Sequence, residues 1–405
     1  MKILFLAGGY DQIVFIDRLR AMGHYVVLVD YNEHPLAERH ADEFFQISTL
    51  DCEAVENICR KKNIDRIFTA CTDQALMTMA YVSERLHLPC YLSLEQAANV
   101  TNKKHMKEIF RKNNIPSSKF VTGTLTEIEM FAADEGYPLV VKPCDCNSSK
   151  GVAKVNNMAE LRDAAELASR LSRTNTVIAE KFMAGRELSI DCWIGTNQIE
   201  ILGITESGKI NNSNGFTIVN SKYDLDNVGI EIIDKIKVLA SMIAKGFSLA
   251  NVPMLIQLIE NNGEISVLEF SPRMGGGTKY RLINRMSSVD IIDTYIENCL
   301  LMDKGQSIKP ALSNRKIAIE YLYMKDGKFC RIDGLECLEK GKLIDEAYIY
   351  KVPGANIVSH KNSGDRIAGV MLSGNDCLEL EAKRKALYNT IKVMDDKDND
   401  CLLRC

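Results

Sequence analysis

No stretch of this chain is apolar for long enough to cross a membrane, and neither sign of charge dominates it. A net charge of −4 over 405 residues gives no reason to expect nucleic acid or an anionic membrane as a partner. The thirteen cysteines show no metal-ligand spacing, and Cys144-Asp145-Cys146 resembles neither a zinc nor a redox motif. An odd thiol count argues against secretion, so a reducing cytoplasm is the expected compartment. Met1-Lys2 and five apolar residues precede Gly8-Gly9, too short a run for a signal peptide. The full G-x-G-x-x-G is also missing, because Tyr10, Asp11 and Gln12 follow the glycine pair. That leaves a dinucleotide reading resting on Gly8-Gly9 and Asp30 alone. No Ser-His-Asp or Cys-His arrangement, internal repeat or low-complexity linker is present.

What is there is ordinary in bulk, 46% hydrophobic and 26% charged, and long enough for two or three domains. The apolar run 3–7, a helical pattern over 13–22 and the run 25–30 start a βαβ rhythm. It continues with a strand at 43–47, a helix over 51–62, a strand at 66–70 and a helix over 74–87. A parallel sheet with helices on both faces is expected for residues 1–100. Beyond 101 the style changes. Helices are expected over 102–114, 126–135 and 158–172, with strands at 139–143 and 152–155 around a polar loop. Strands at hairpin spacing fill 177–270, interrupted by one helix over 230–245. The polar segment 205–224, with Gly208, Asn211, Asn212, Asn214 and Gly215, reads either as a loop over a substrate or as a plain surface loop. Short strands and a helix over 379–393 close the chain, and the acidic tail 395–400 is expected to be solvated and frayed.

The most informative stretch runs from Leu255-Ile256-Gln257 to Glu269-Phe270-Ser271-Pro272-Arg273. It reads as two apolar strands around Asn261-Asn262-Gly263. A three-residue loop with Gly263 left-handed would put Gln257 and Glu269 on one face, whereas a two-residue turn would split them. Gln257, Glu269, Ser271 and Arg273 would then project together, with Met254, Ile256, Leu258, Leu268 and Phe270 in the core. Four polar groups on a sheet need partners, which a divalent cation and a polyphosphate would supply. A hairpin with solvated polar residues is the plainer alternative.

Five elements occur in order: Lys103 with Lys107; Lys142 closing an apolar strand; the loop Asp145-Cys146-Asn147-Ser148-Ser149-Lys150-Gly151; Glu180-Lys181-Phe182-Met183 through Glu187; and the hairpin. Together they closely resemble the ATP-grasp superfamily, whose members activate a carboxylate with ATP and ligate a nucleophile to it. The implied fold is α/β and α+β, a Rossmann-like parallel-sheet domain over 1–100 followed by an ATP-grasp fold over 101–310. Within the latter a lid-like subdomain would span about 117–183, the remainder binding metal, and a C-terminal β-rich α+β region would cover 311–405.

By that resemblance Lys103 and Lys142 match the two lysines that neutralise ATP phosphates, and Ser148, Ser149, Lys150 and Gly151 match half of a phosphate-covering loop. Cys146 and Asn147 stand where glycine is commoner. The backbone of Lys181 and Met183 would read adenine with Glu180 close by, and Glu187 would hold the ribose diol. Glu187, Ser189 and Asp191 alternate with apolar residues, so one strand face is polar. Glu269 matches a metal-bridging carboxylate. Gln257 sits where many members carry an acid, and Ser271 where asparagine is usual. Mg²⁺ (or Mn²⁺) with ATP is the implied cofactor set. Arg273 matches the arginine on the γ-phosphate and the acyl phosphate, acting with Lys142 in catalysis. Gly275-Gly276-Gly277 reads as an anion nest for a substrate carboxylate or as a flexible turn, and Arg281 is a further carboxylate candidate.

The expected activity is carbon–nitrogen ligation between a small-molecule carboxylate and an amine. A bicarbonate-using, carbamoyl-phosphate-like enzyme is the alternative within the superfamily, with a non-catalytic ATP-binding module and an NAD-dependent dehydrogenase behind it. No nucleic acid and no membrane is expected as partner. Dimers are common among proteins resembling this chain, so a homodimer stays open.

Overall fold

The computed structural model describes residues 1–146, 150–196, 198–210, 216–303, 308–358 and 362–404. The mostly buried strands Lys2–Leu6, Tyr25–Asp30 and Arg66–Thr69 and the partly exposed Glu43–Gln46 form a parallel sheet in which Lys2–Leu6 lies between Tyr25–Asp30 and Arg66–Thr69. Helices Tyr10–Ala21 and Cys52–Lys62 make crossovers, and Asp73–Arg85 follows the last strand. Asp51 caps the second of them by accepting from the Ala54 N–H. The Asp30 carboxylate, buried, accepts from the Gly8 N–H at 2.8 Å and from Asn32. It braces the first turn, which leaves the dinucleotide reading without a free acid.

A helix over Leu94–Thr101 was not expected. Its signal is a capping box, the Ser93 hydroxyl accepting from the Gln96 N–H while Gln96 reaches back to the Ser93 N–H. Asn102 then caps the next helix, Lys103–Lys112, through the Lys104 N–H.

Two antiparallel sheets carry the rest of the site. The smaller takes Phe120–Gly123, Val177–Lys181, Leu139–Pro143 and Ala153–Val155 in that spatial order, covered by Leu125–Glu135 and Met158–Leu171. Its own apolar core includes Leu139, Val141, Leu161 and Ala179. The larger sheet has eight strands. Glu264–Ser271, Val252–Asn261, Arg186–Ile194, Ile199–Lys209 and Ile218–Tyr223 lead on into Lys316–Leu322, Ala368–Gly374 and Glu346–Ile349. The C-terminal strands therefore extend the sheet that holds the hairpin. The helix Cys377–Thr390 packs on Ala368–Gly374, and the strand Lys392–Asp395 follows it.

Three expectations change here. The hairpin turns through two residues, Asn262 and Gly263, both at positive φ, with Asn261 paired to Glu264. That register alone would set Gln257 against Leu268. A bulge at Leu268 shifts it, so that Gln257 pairs with Glu269, and Leu268 lines the cleft instead of entering the core. Most of the segment 205–224 is strand, Thr205–Lys209 pairing with Ile218–Tyr223, and residues 211–215 lie outside the described residues. The acidic tail is a tight turn. Asp395 accepts from the N–H groups of Lys397 and Asn399, which hold its carboxyl down at about 2, and Met394 bridges Asp400.

Candidate active site

Side-chain alternation puts one row of polar groups on the concave face of the large sheet. Cross-strand neighbours are Glu187 with Ile259, Ser189 with Gln257, Asp191 with Leu255, and Ser271 with Leu255 on the other side. An open cleft lies between this face and the smaller sheet. Lys103, Lys142, Lys150, Glu180, Lys181, Met183, Glu187, Gln257 and Glu269 all line it. An adjoining lobe of about 410 Å³ shares Lys103, Gln257 and Glu269 and adds Ser271 and Arg273. The structure thus brings together eleven of the seventeen candidate site residues singled out from the sequence. Ser148 and Ser149 fall outside the described residues. Gly151 sits at φ +70°, where a Cβ would come within 2.7 Å of Leu171.

At the inner end the Glu180 carboxylate is buried between two ammonium groups, Lys142 at 2.7 Å and Lys107 at 3.1 Å. The Ser118 hydroxyl donates to it at 2.6 Å. Burial pushes the Glu180 carboxyl up, but the two ammoniums and the hydroxyl outweigh that and hold it at about 2. The Glu180 carboxylate thus serves the lysines, while the residue lines the cleft next to Lys181, Phe182 and Met183. The Lys181 side chain is used to hold the smaller sheet. Its ammonium donates to the carbonyls of Glu135, Gly136 and Tyr137 at the end of Leu125–Glu135, and its N–H to Lys119. The Phe182 ring, with Lys154 over its face at 4.1 Å, adds an aromatic wall.

At the hairpin end Lys103 bridges the two sheets, donating to the Cys146 carbonyl at 2.6 Å and lying 3.2 Å from Glu269. Burial disfavours its ammonium, yet Glu269 keeps its pKa above the usual lysine value. Glu187 is paired with Lys209 at 2.6 Å and accepts from Gln257 Nε2 at 3.2 Å. Ser271 Oγ is buried beside Asp73, whose carboxyl it helps hold down.

Arg273 is held by a residue the sequence reading missed. Its Nε donates to Asp73 at 2.7 Å and a second N–H completes a fork, while Nη1 donates to the Met274 carbonyl. Burial raises the Asp73 carboxyl, but Arg273 beside it brings the balance below the usual range. Asp73 begins a helix of the parallel-sheet region, 200 residues away in sequence, and no local pattern points to it. Lys209 was likewise absent from the expected set, and Lys107, named beside Lys103, had been given no role. The polar strand face is also less open than expected. Ser189 and Asp191 are buried, and Lys279 reaches both, at 3.3 and 2.9 Å, together with Thr205.

The glycine turn departs furthest from its reading. The N–H groups of Gly277 and Thr278 both donate to Asp11 at 2.7 Å, so the nest holds a carboxylate of this chain. A Cβ at Gly276 would sit 3.3 Å from the same carboxylate. Arg281 points away toward Glu346, 3.7 Å distant, and is more than half exposed.

Two family profiles match the chain, "D-ala D-ala ligase C-terminus" over residues 109–250 and "L-amino acid ligase C-terminal domain 2" over 320–394. The chain has the ATP-grasp fold expected from its sequence. Its fold is similar to that of an L-amino acid ligase from Bacillus licheniformis, at a TM-score of 0.80 and 19% identity, covering 98% of each chain. It is also similar to the biotin carboxylase domain of a Hydrogenobacter thermophilus 2-oxoglutarate carboxylase solved with MgADP and bicarbonate, at a TM-score of 0.78 and 14% identity. That match covers 97% of this chain and 90% of the other. In sequence it is 23% identical over 380 residues to the carbamoyl phosphate synthase large chain of Clostridium botulinum. The match covers 89% of this chain and 35% of that one, so the chain spans about a third of that relative's length. Among the described residues no helix is long and apolar enough to cross a membrane.

Proposed function

We propose that this chain is an ATP-dependent ligase that activates a carboxylate as an acyl phosphate and joins it to an amine. The observation that carries the reading is one continuous cleft, with Lys142 and Lys103 along it and Arg273 at its far lobe. Lys142 and Lys103 would neutralise phosphate oxygens, and Glu187 would accept from the ribose hydroxyls. Phe182 and Met183 would flank the base.

The residues present fit a divalent cation at the hairpin. Glu269 keeps 38% of its side chain open to solvent, and the Ser271 hydroxyl lines the adjoining lobe. Glu269 and the Gln257 amide oxygen would hold Mg²⁺, which when bound neutralises charge on the phosphates. The Arg273 fork, fixed in orientation by Asp73, would then face the transferring phosphoryl group and the developing charge on its oxygens. The incoming amine displaces phosphate from the acyl phosphate, and the protein supplies position and field in place of a nucleophile. Separate units over 1–100, 101–310 and 311–405 are part of this proposal, as are small-molecule substrates.

Phosphate release from ATP and Mg²⁺ across a panel of amino acids and small carboxylates tests the reading. Release that needs both an acid and an amine supports it. Release with bicarbonate alone would favour the second reading, a carbamoyl-phosphate-like activity, which the Clostridium botulinum relative brings into view. Unchanged release in Arg273→Ala would overturn the assigned site.

A further inference from the structure

The hairpin end carries a statement about the metal itself, one that rests on the ATP reading above. Among the described residues, six cationic side chains and four carboxylates line the two connected lobes. Three of those carboxylates already face a cation of the chain, Glu180 with Lys142, Glu187 with Lys209 and Asp73 with Arg273. Glu269 is the fourth, and Lys103 stands 3.2 Å from it. Its neighbours on the hairpin itself are neutral. Gln257 spends its Nε2 on Glu187, which leaves only the amide oxygen to face a cation. Ser271 offers a hydroxyl. No group of three histidine, cysteine or acidic side chains able to hold an ion forms among the described residues.

We propose that the hairpin holds one divalent cation, bound jointly with the nucleotide's phosphates, with no second protein-held ion and no metal in the nucleotide's absence. A bare dication entering this lining meets a net excess of positive charge, and at a few ångströms such repulsion is large. The phosphates reverse the sign. Mg²⁺ takes one or two carboxylates and fills the rest of its octahedron with phosphate oxygens and water, which Glu269 and the Gln257 oxygen satisfy for one ion. A second ion would need another anionic oxygen opposite Glu269. At that register position the chain has an amide.

Mn²⁺ titration of the full chain, followed by electron paramagnetic resonance, tests this with and without an equimolar non-hydrolysable ATP analogue. The expected result is one Mn²⁺ per chain with the analogue and none without it at the concentration that saturates that complex. Gln257→Glu should add a second Mn²⁺ in the analogue complex. Two ions in the unmodified chain, or equal affinity without the analogue, would overturn the inference and leave the ligase reading standing. A folded Gln257→Glu variant that still takes one ion would also count against it. No analogue binding at any metal concentration would overturn the ATP reading, and this inference with it. Should Gln257→Glu not fold, the counts in the unmodified chain still decide.

Discussion

The two ends of the cleft handle charge in opposite ways. At the inner end one carboxylate serves two lysines, and all three side chains are nearly dry, Lys107 at 1%, Glu180 at 3% and Lys142 at 9% exposure. At the hairpin end Glu269 is 38% exposed and its neighbour Gln257 is neutral. At the first end each charge already has a partner in the chain, with Lys142 still lining the cleft. The second is short of negative charge, so it is the end that gains more from a bound ligand. One active-site wall is therefore built mainly for shape and the other for exchange.

Four experiments would break or sharpen that contrast. Glu180→Ala leaves two buried ammoniums unpaired and should cost roughly 3–5 kcal/mol in urea unfolding. A loss below about 1 kcal/mol would remove the structural role assigned to that end. Next in size is Arg273→Lys, which gives up the fork to Asp73. Turnover should fall on the order of 10²–10³-fold, read from kcat with substrates identified by phosphate release.

The third concerns acid. Because the folded Glu180 carboxyl sits at about 2, below its unfolded value, it adds stability above the unfolded pKa, and this is lost as pH falls through the folded one. Unfolding free energy should drop by about 3 kcal/mol between roughly pH 5 and pH 2 on this account. The Glu180→Gln variant should lack that portion of the slope. Glu269→Gln should change stability least, within about 0.5 kcal/mol by thermal melting, because its group is half-exposed. An equally large melting loss in Glu180→Ala and Glu269→Gln would erase the difference between the ends.

Much of this was legible from periodicity. The βαβ rhythm gave the parallel sheet because buried parallel strands are continuous apolar runs, as in Tyr25–Asp30. Lys142 announced itself by ending such a run. Local chemistry could have given more, since Ser93-x-x-Gln96 is a helix start that was passed over. The bulge at Leu268 was beyond reach, because a single extra residue leaves no compositional trace and only the register reveals it. Asp73 and Asp11 were hidden for another reason. Each looks like a helix N-terminal acid until folding carries it to Arg273 or to the Gly277 turn.

Those two acids bear on how such a chain can be taken apart and rebuilt. Asp11 grips the Gly277–Thr278 backbone and Asp73 grips Arg273, so the first hundred residues hold the segment just after the hairpin at two points. A chimera that replaces residues 1–100 with a foreign parallel-sheet unit would exchange both grips at once. It would inherit the arginine while losing what aims it. Grafts across this joint should therefore carry positions 11, 73, 273 and 277 as a single inherited block.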